Sequence, residues 1–304
     1  MAAHVEREVF VRSLSLARPT GASARALAAA MEDVRLASGT VIFRADDAPE
    51  AAYFVMSGTV ELVAPGTDPW TFGRGAVVGI LDVMAERPRA RTAIVRADAL
   101  VLRLRADDWL DILEDDFEYT RDVLRGVASA NAGVHLELGP RGGFDEPPLD
   151  APTIAEDAPR LGLVERMMVL RDTDLFRRTT IQAITTISDA CDELRLPAGA
   201  ILSDRVSLFA GFSVVARGVV EMTRAGEPEL RARFGPASVV GGPFGLAHPP
   251  EKLEVRAITD ASLLHVRDED FYDVMEDHFD VARSAFATFA LERERLMSKR
   301  ALGT

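Results

Sequence analysis

Three arginines stand two apart in GILDVMAERPRARTA, residues 79–93: Arg87, Arg89 and Arg91, in a chain whose net charge is −13. Guanidinium forks suit a bidentate, charge-assisted grip on a phosphate or a carboxylate. The competing use is a salt bridge within the fold, with Asp82 and Glu86 as the nearby acids. For Arg89 both uses stay open. For Arg87 and Arg91 the expectation is a solvated surface, and for Thr92 either a plain strand position or a hydroxyl that completes an anion cradle.

Other chemistry finds little support. The five histidines, at 4, 135, 248, 265 and 278, form no i, i+4 pair and have no partner cysteine, so no metal set is expected. GRGAVVG (73–79) leads from a strand into a turn rather than a long helix, which weakens a dinucleotide reading. No G-x-S-x-G, H-E-x-x-H or P-loop pattern is present. Paired acids such as Asp107 and Asp108, or Glu114 to Asp116, fall on a helix start and a helix face, where the dipole and solvation account for them. The expectation is a protein that is not an enzyme and carries no cofactor.

The elements that must hold these arginines come in two copies. FGRGAVVG (72–79) matches FGPASVVG (234–241), and LRADDWLDILEDDF (104–117) matches VRDEDFYDVMEDHF (266–279) in the same register. Upstream, VRLASGTVI (34–42) matches LRLPAGAIL (194–202), and SGTVEL (57–62) matches RGVVEM (217–222). The register slips by two within TRAGEPELRAR, where a turn tolerates added length. Between the copies, GPRGGFDEPPLDAPTIAEDAP (139–159) is rich in Gly, Pro and acid and has no period, so it reads as a linker. Domain one is then 1–138 and domain two 160–304.

Within a copy, helical sequence comes first: ARALAAAMEDV in one, LVERMMVLRDTDLF and TTIQAITTISDACDEL in the other. Short β-rich runs follow, VIF, AAYFVM, TVELVA, WTF, AIVRA and LVLRL, separated by turn residues, which predicts a compact antiparallel roll. A closing segment, DDWLDILEDDFEYTRDVLRGVASA, places Trp109, Ile112, Leu113, Phe117, Thr120, Val123 and Leu124 at helical spacing. One amphipathic helix is expected there, its aromatics serving the core.

Composition bounds the setting. At 304 residues with one cysteine, Cys191, the chain can bury two cores but form no internal disulfide. The N-terminal MAAHVEREVFVRSLSLARP carries acids early and lacks an apolar core, unlike a secretion signal, and apolar runs such as residues 76–85 are too short to span a bilayer. The expected compartment is the cytoplasm. The acidic balance argues against a large phosphate-backbone footprint, and the helix and basic ERERLMSKRALGT after Val266 are too little for a folded major-groove reader, so DNA is not an expected partner.

Leu36, Gly39, Ile42 and Phe43, then Y-F-V-x-S-G-x-V-E-L (Tyr53–Leu62), then G-x-L-x-x-M-x-x-x-P-R-A-x-T (Gly79–Thr92) resemble the cyclic nucleotide-binding domain of catabolite activator-type regulators, kinase A regulatory subunits and gated channels. The resemblance implies an α+β, mainly β fold: two antiparallel β-rolls, or jelly rolls, each flanked by N- and C-terminal helices. It also identifies the arginine stretch with the family's phosphate-binding cassette, usually G-E-L-A-L-x-x-x-x-P-R-A-A-T. Gly79 takes the glycine, Leu81 the first apolar position, Arg89 the phosphate arginine after Pro88, Ala90 the next position and Thr92 the hydroxyl, with Arg91 adding a cation at the mouth. Ile80 stands where the family has its ribose-binding glutamate and cannot accept a hydrogen bond, at a cost of roughly 1–3 kcal/mol or more to a 2′-hydroxyl. Asp82 is expected to face elsewhere.

Candidate ligands are cyclic AMP, cyclic GMP or a cyclic dinucleotide. In the second copy the same register places Glu251 over Arg89, with Lys252 beside it, so that copy is expected to be degenerate. The implied function is a regulatory or adaptor protein that senses such a ligand through domain one and signals to a protein partner or a dimer mate. The alternative is a ligand-independent interaction scaffold.

Overall fold

Two long strands carry the first roll of the computed structural model, which describes residues 2–14, 19, 21–139, 141–147, 159–202, 211–224, 229–247 and 253–301. The chain divides into two compact units, residues 1–126 and 127–304.

The elements of the first unit are α1 (Ala2–Arg12), α2 (Gly21–Ala30), β1 (Glu32–Leu36), β2 (Val41–Phe43), β3 (Ala51–Val63), β4 (Trp70–Phe72), β5 (Val77–Val78), α3 (Ile80–Ala85), β6 (Thr92–Arg105) and α4 (Ala106–Asp115). β3 and β6 run antiparallel along their whole length, from Ala51 opposite Arg105 to Val63 opposite Thr92. β1 and β2 add to β6, and β4 and β5 to β3, giving a six-stranded antiparallel sheet. Val55, Val60, Val78, Val95 and Val101 meet inside it without measurable exposure. β-branched side chains suit this pleated core, and burying each contributes about 1.5–3 kcal/mol.

β3 joins the runs AAYFVM and TVELVA that turn chemistry separates in sequence. The register shifts around Ser57 and Thr59, and between them Gly58 has φ 89°, where a Cβ would lie 2.4 Å from the Asp98 carbonyl oxygen. The SG pair therefore marks a close backbone crossing rather than a hairpin.

Two expectations change, and one helix is new. ARALAAAMEDV is helical only to Ala30, because Glu32–Leu36 pairs residue by residue with Arg103–Ala99 of β6. Strand pairing there overrides weak local propensity. α1 has no counterpart in the sequence reading; Phe10 and Val11 from it are buried. The closing segment is two helices, α4 and α5 (Phe117–Glu137), broken at Asp116. Asp116 leaves helical geometry at φ −129° and its Oδ1 accepts the Tyr119 N–H at 3.0 Å, an N-cap for the second helix. Trp109, Leu113, Val123 and Leu124 are buried as core residues. The division between the units falls within α5.

The second unit continues with α6 (Leu163–Arg171), α7 (Ile181–Ala190), β7 (Asp192–Leu196), β8 (Gly211–Arg217), β9 (Val220–Arg224), β10 (Leu230–Phe234), α8 (Phe244–Ala247), β11 (Leu253–Ala257), β12 (Ala261–Arg267), α9 (Asp268–Asp277) and α10 (Phe279–Ala301). Its strands form two antiparallel sheets, β7-β12-β8 and β10-β9-β11. The sequence repeat is a repeat of backbone geometry. Gly39 N–H donates to Val95 O and Gly199 N–H to Ala257 O, both at 2.8 Å. Asp98 accepts the Ser38 N–H at 2.8 Å and Asp260 the Ala198 N–H at 2.8 Å. Gly218, the counterpart of Gly58, has φ 81° and would place a Cβ 2.4 Å from Asp260 O.

The stretch read as a linker is anchored where it begins. Gly143 O accepts from Arg295 at 2.9 Å and from Lys299 at 2.8 Å, and Phe144 stacks on His135 at 4.0 Å. Residues 140 and 148–158 of that stretch, and 225–228 of TRAGEPELRAR, lie outside the described residues.

Candidate functional site

The cassette begins where β5 stops. Gly79 takes φ 78°, a left-handed turn that a side chain would strain. A Cβ on Gly79 would also lie 2.6 Å from Arg89 Nη1 and 3.1 Å from the Phe43 ring, so this glycine exists to admit the arginine. α3 follows for six residues and ends at Glu86, also left-handed at φ 50°. Pro88 and Arg89 then return the chain toward β6. On the way Arg89 exchanges backbone hydrogen bonds with the β2–β3 turn, its N–H to Asp47 O and its carbonyl to Asp46 N–H, both 2.9 Å.

The Arg89 side chain is 1% exposed. Its Nη1 donates to Gly79 O at 2.6 Å, its Nη2 donates to Ala51 O, and its guanidinium carbon sits 4.2 Å from the centroid of Phe43. Its buried Nε–H has no hydrogen-bond partner. Burial pushes the Arg89 pKa down, and Asp82, Tyr53, Asp47 and Glu50 push it back up. An arginine remains charged in such surroundings.

Asp82, in the first turn of α3, supplies the opposing charge. Its Oδ1 accepts from Arg87 Nη2 at 3.2 Å and Nε at 3.3 Å, and from the Ala90 N–H at 3.4 Å. Its Oδ2 lies 3.9 Å from Arg89 Nη1. Burial pushes the Asp82 carboxyl above its usual range, opposed by Arg87, the Ala90 N–H and Arg89. Asp82 thus faces the cassette's own donors, and of the two acids open to Arg89 as salt-bridge partners it is the one that stands beside it.

Arg91 is a second correction. It is buried, not solvated: its guanidinium carbon lies 4.0 Å from the centroid of Trp70, and Nη1 donates to Thr67 Oγ1 at 3.0 Å. A flat guanidinium can lie on an indole face with its tip at the rim, which costs far less than burying an ammonium. Arg87 is partly exposed at 30% but engaged with Asp82. Thr92 Oγ1 accepts the Ala45 N–H at 3.0 Å, so its hydroxyl serves the fold. Ile80 and Leu81 are half-buried at the start of α3 and bring no polar side-chain atom to the site. The structure therefore brings together Gly79, Arg89 and Ala90, joined by Asp82 and Arg87, while Arg91 belongs to a neighbouring stack with Trp70. Asp82 was one of the two acids expected to compete for Arg89, and it also takes Arg87, five residues on.

In the second unit Gly241 repeats the left-handed turn at φ 76°, but the atom nearest its would-be Cβ is Met222 Sδ at 3.3 Å. A thioether stands where the first unit has a cation. The adjoining cavity is ≈ 20 Å³, about one water, and is lined by apolar side chains such as Leu202, Met222, Phe244 and Val255 together with Ser213 and His265. Glu251 and Lys252, which sequence register sets opposite Arg89, lie outside the described residues.

Among the described residues no three His, Cys, Asp or Glu side chains gather as metal ligands, and no helix is long and apolar enough to cross a membrane.

Residues 33–116 match the family model of the cyclic nucleotide-binding domain, from β1 through α4. A patatin-like phospholipase domain-containing protein of Caenorhabditis elegans is 35% identical over 65 residues, which is 21% of this chain and 5% of that protein's length. Among solved structures, the regulatory domain of Toxoplasma gondii PKA with cAMP is 16% identical, with 91% of this chain and 94% of that one covered and a TM-score of 0.35. The regulatory subunit of a cAMP-independent protein kinase A from Trypanosoma brucei is 14% identical, with 92% and 90% covered and a TM-score of 0.36.

Proposed function

We propose that this chain is a non-enzymatic regulatory protein that acts through protein–protein contact, and that its cyclic nucleotide-binding domain is held in one state by its own side chains. The observation that carries this reading is the inward set of Arg89. Two of its N–H groups already donate to Gly79 O and Ala51 O, and the neighbouring Ala90 N–H already faces a carboxylate. A cyclic phosphate would have to displace those contacts and sit beside Asp82, a like charge in a buried site. Ile80 gives the ribose nothing in return. The apolar filling beside Gly241 supports the same reading for the second unit.

Isothermal titration with cyclic AMP, cyclic GMP and a cyclic dinucleotide tests it. No heat is expected from any of the three. Partner capture from extract is then expected to be indifferent to added nucleotide, and size-exclusion with light scattering tells a protein partner from a dimer mate.

A sensor is the second reading, favoured by the unpartnered Nε–H of Arg89 within a stretch that matches the domain family. It requires heat with at least one nucleotide, lost on Arg89→Lys, whose single ammonium cannot reproduce the fork.

A further inference from the structure

The geometry points to Asp82 as a built-in ligand: its carboxylate fills an anion seat made by Arg87, Arg89 and the Ala90 N–H, and so decides that the cassette takes no free anion. This rests on the reading of the first unit as ligand-independent and says what enforces it.

The seat is defined by donors on two residues, Arg87 and Ala90, and by the charge of a third, Arg89, whose Nη1 donates to Gly79 O. Arg87 gives two N–H groups at 3.2 and 3.3 Å, Ala90 its backbone N–H at 3.4 Å, and the Arg89 guanidinium stands 3.9 Å from the second oxygen. Asp82 is 9% exposed and Arg89 1%, so water does little to screen them. Two cations face one anion, and of the hydrogen-bonding groups of Arg89 the Nε–H is left over. A second anion would meet Asp82 at close range, which is why a filled seat excludes phosphate as well as any larger ester that carries it.

The same geometry says what an emptied seat would do. Asp82→Ala leaves one buried guanidinium group, one partly exposed guanidinium group and an N–H around a space the size of a carboxylate, and formate has that size and charge. A group that binds only the folded chain stabilises it in proportion to occupancy. Asp82→Asn keeps the space filled and offers no vacancy.

The test is thermal unfolding of the full chain in sodium formate against sodium chloride at equal ionic strength, followed by tryptophan fluorescence, for the unaltered protein, Asp82→Ala and Asp82→Asn. The expected result is a lower Tm for Asp82→Ala that formate raises saturably, with inorganic phosphate as a second probe, and no such rise in the other two. An Asp82→Ala protein that is destabilised but indifferent to both anions overturns the seat and leaves the ligand-independent reading standing. Cyclic AMP heat in the unaltered protein that persists unchanged in Asp82→Ala overturns both. Should Asp82→Ala not fold alone, refolding yield reads the same thing. Recovery from formate but not chloride supports the seat, and recovery from neither, while Asp82→Asn refolds, overturns it.

Discussion

Replacing Arg89 by methionine asks whether this residue holds the roll or waits for a ligand. The side chain is buried and forks to the carbonyls of Gly79 and Ala51, one at the start of α3 and one at the start of β3. Hydrogen bonds to a charged donor contribute about 1.5–3 kcal/mol each, and the contact over Phe43 about 1–2 kcal/mol. Against these stands the cost of desolvating the guanidinium, which methionine avoids. Two buried carbonyls lose their partner, and Asp82 keeps only Arg87 and Ala90. Removing one member of a buried charged set costs about 3–5 kcal/mol, and that is the expected loss. It is a large share of the roughly 5–15 kcal/mol that holds a typical domain.

Urea unfolding followed by tryptophan fluorescence isolates the effect, because the two tryptophans, Trp70 and Trp109, both lie in the first unit. Arg89→Lys, which reaches one carbonyl but not both, is expected to fall between the unaltered protein and Arg89→Met. A loss under about 1 kcal/mol, the size expected of a solvated arginine, would falsify the account of Arg89 as a structural keystone.

Gly79→Ala is expected to cost about 3 kcal/mol by the same assay, from left-handed strain of about 1–2 kcal/mol and displacement of Arg89, whose Nη1 is 2.6 Å from the new Cβ. Gly75→Ala is the control: at φ 85° it meets nothing within 4 Å, and its counterpart Ala237 already lives at φ 62°, so about 1 kcal/mol is expected. In the second unit, burial pushes the His265 pKa down from 6.5. The unfolded chain then takes up a proton that the folded chain refuses, so stability is lost as pH falls below 6.5 toward the folded value. Calorimetric unfolding against pH should show that slope, and His265→Gln should flatten it. Glu193 behaves as the acid counterpart. Burial raises its pKa, but Arg195, the Leu161 N–H and Ser262 more than offset this and leave it below 4.5. Its contribution is present above 4.5 and lost as pH falls through the folded value. Glu193→Gln is expected to cost about 1–3 kcal/mol at pH 7 and to remove that acid limb from the calorimetric profile.

The duplication was legible because glycines record backbone demands that are local. Gly58 and Gly218 both cross a carbonyl so closely that a Cβ would lie 2.4 Å from its oxygen, and Gly79 and Gly241 both turn left-handed, so each pair had to recur wherever the crossing or the turn recurs. The paired rolls followed from those marks together with the β-rich runs between them, and the place of the cassette from the resemblance to the cyclic nucleotide-binding domain. Boundaries were less legible where pairing overrides propensity: Glu32–Leu36 reads as the end of a helix until β6 supplies its hydrogen bonds. The break at Asp116 depended on a side chain capping the next helix instead of continuing the last. The direction of the three arginines was beyond sequence spacing altogether. Arg89 and Arg91 turned inward, because Ala51, Phe43 and Trp70 come within reach only once the sheet has curled, while Arg87 found Asp82 five residues away. By itself, then, the sequence determined that the chain repeats an α+β roll and puts cations at its cassette. Where Arg89 points was decided by tertiary structure, since the Ala51 carbonyl it donates to is 38 residues away along the chain and only the fold makes them neighbours.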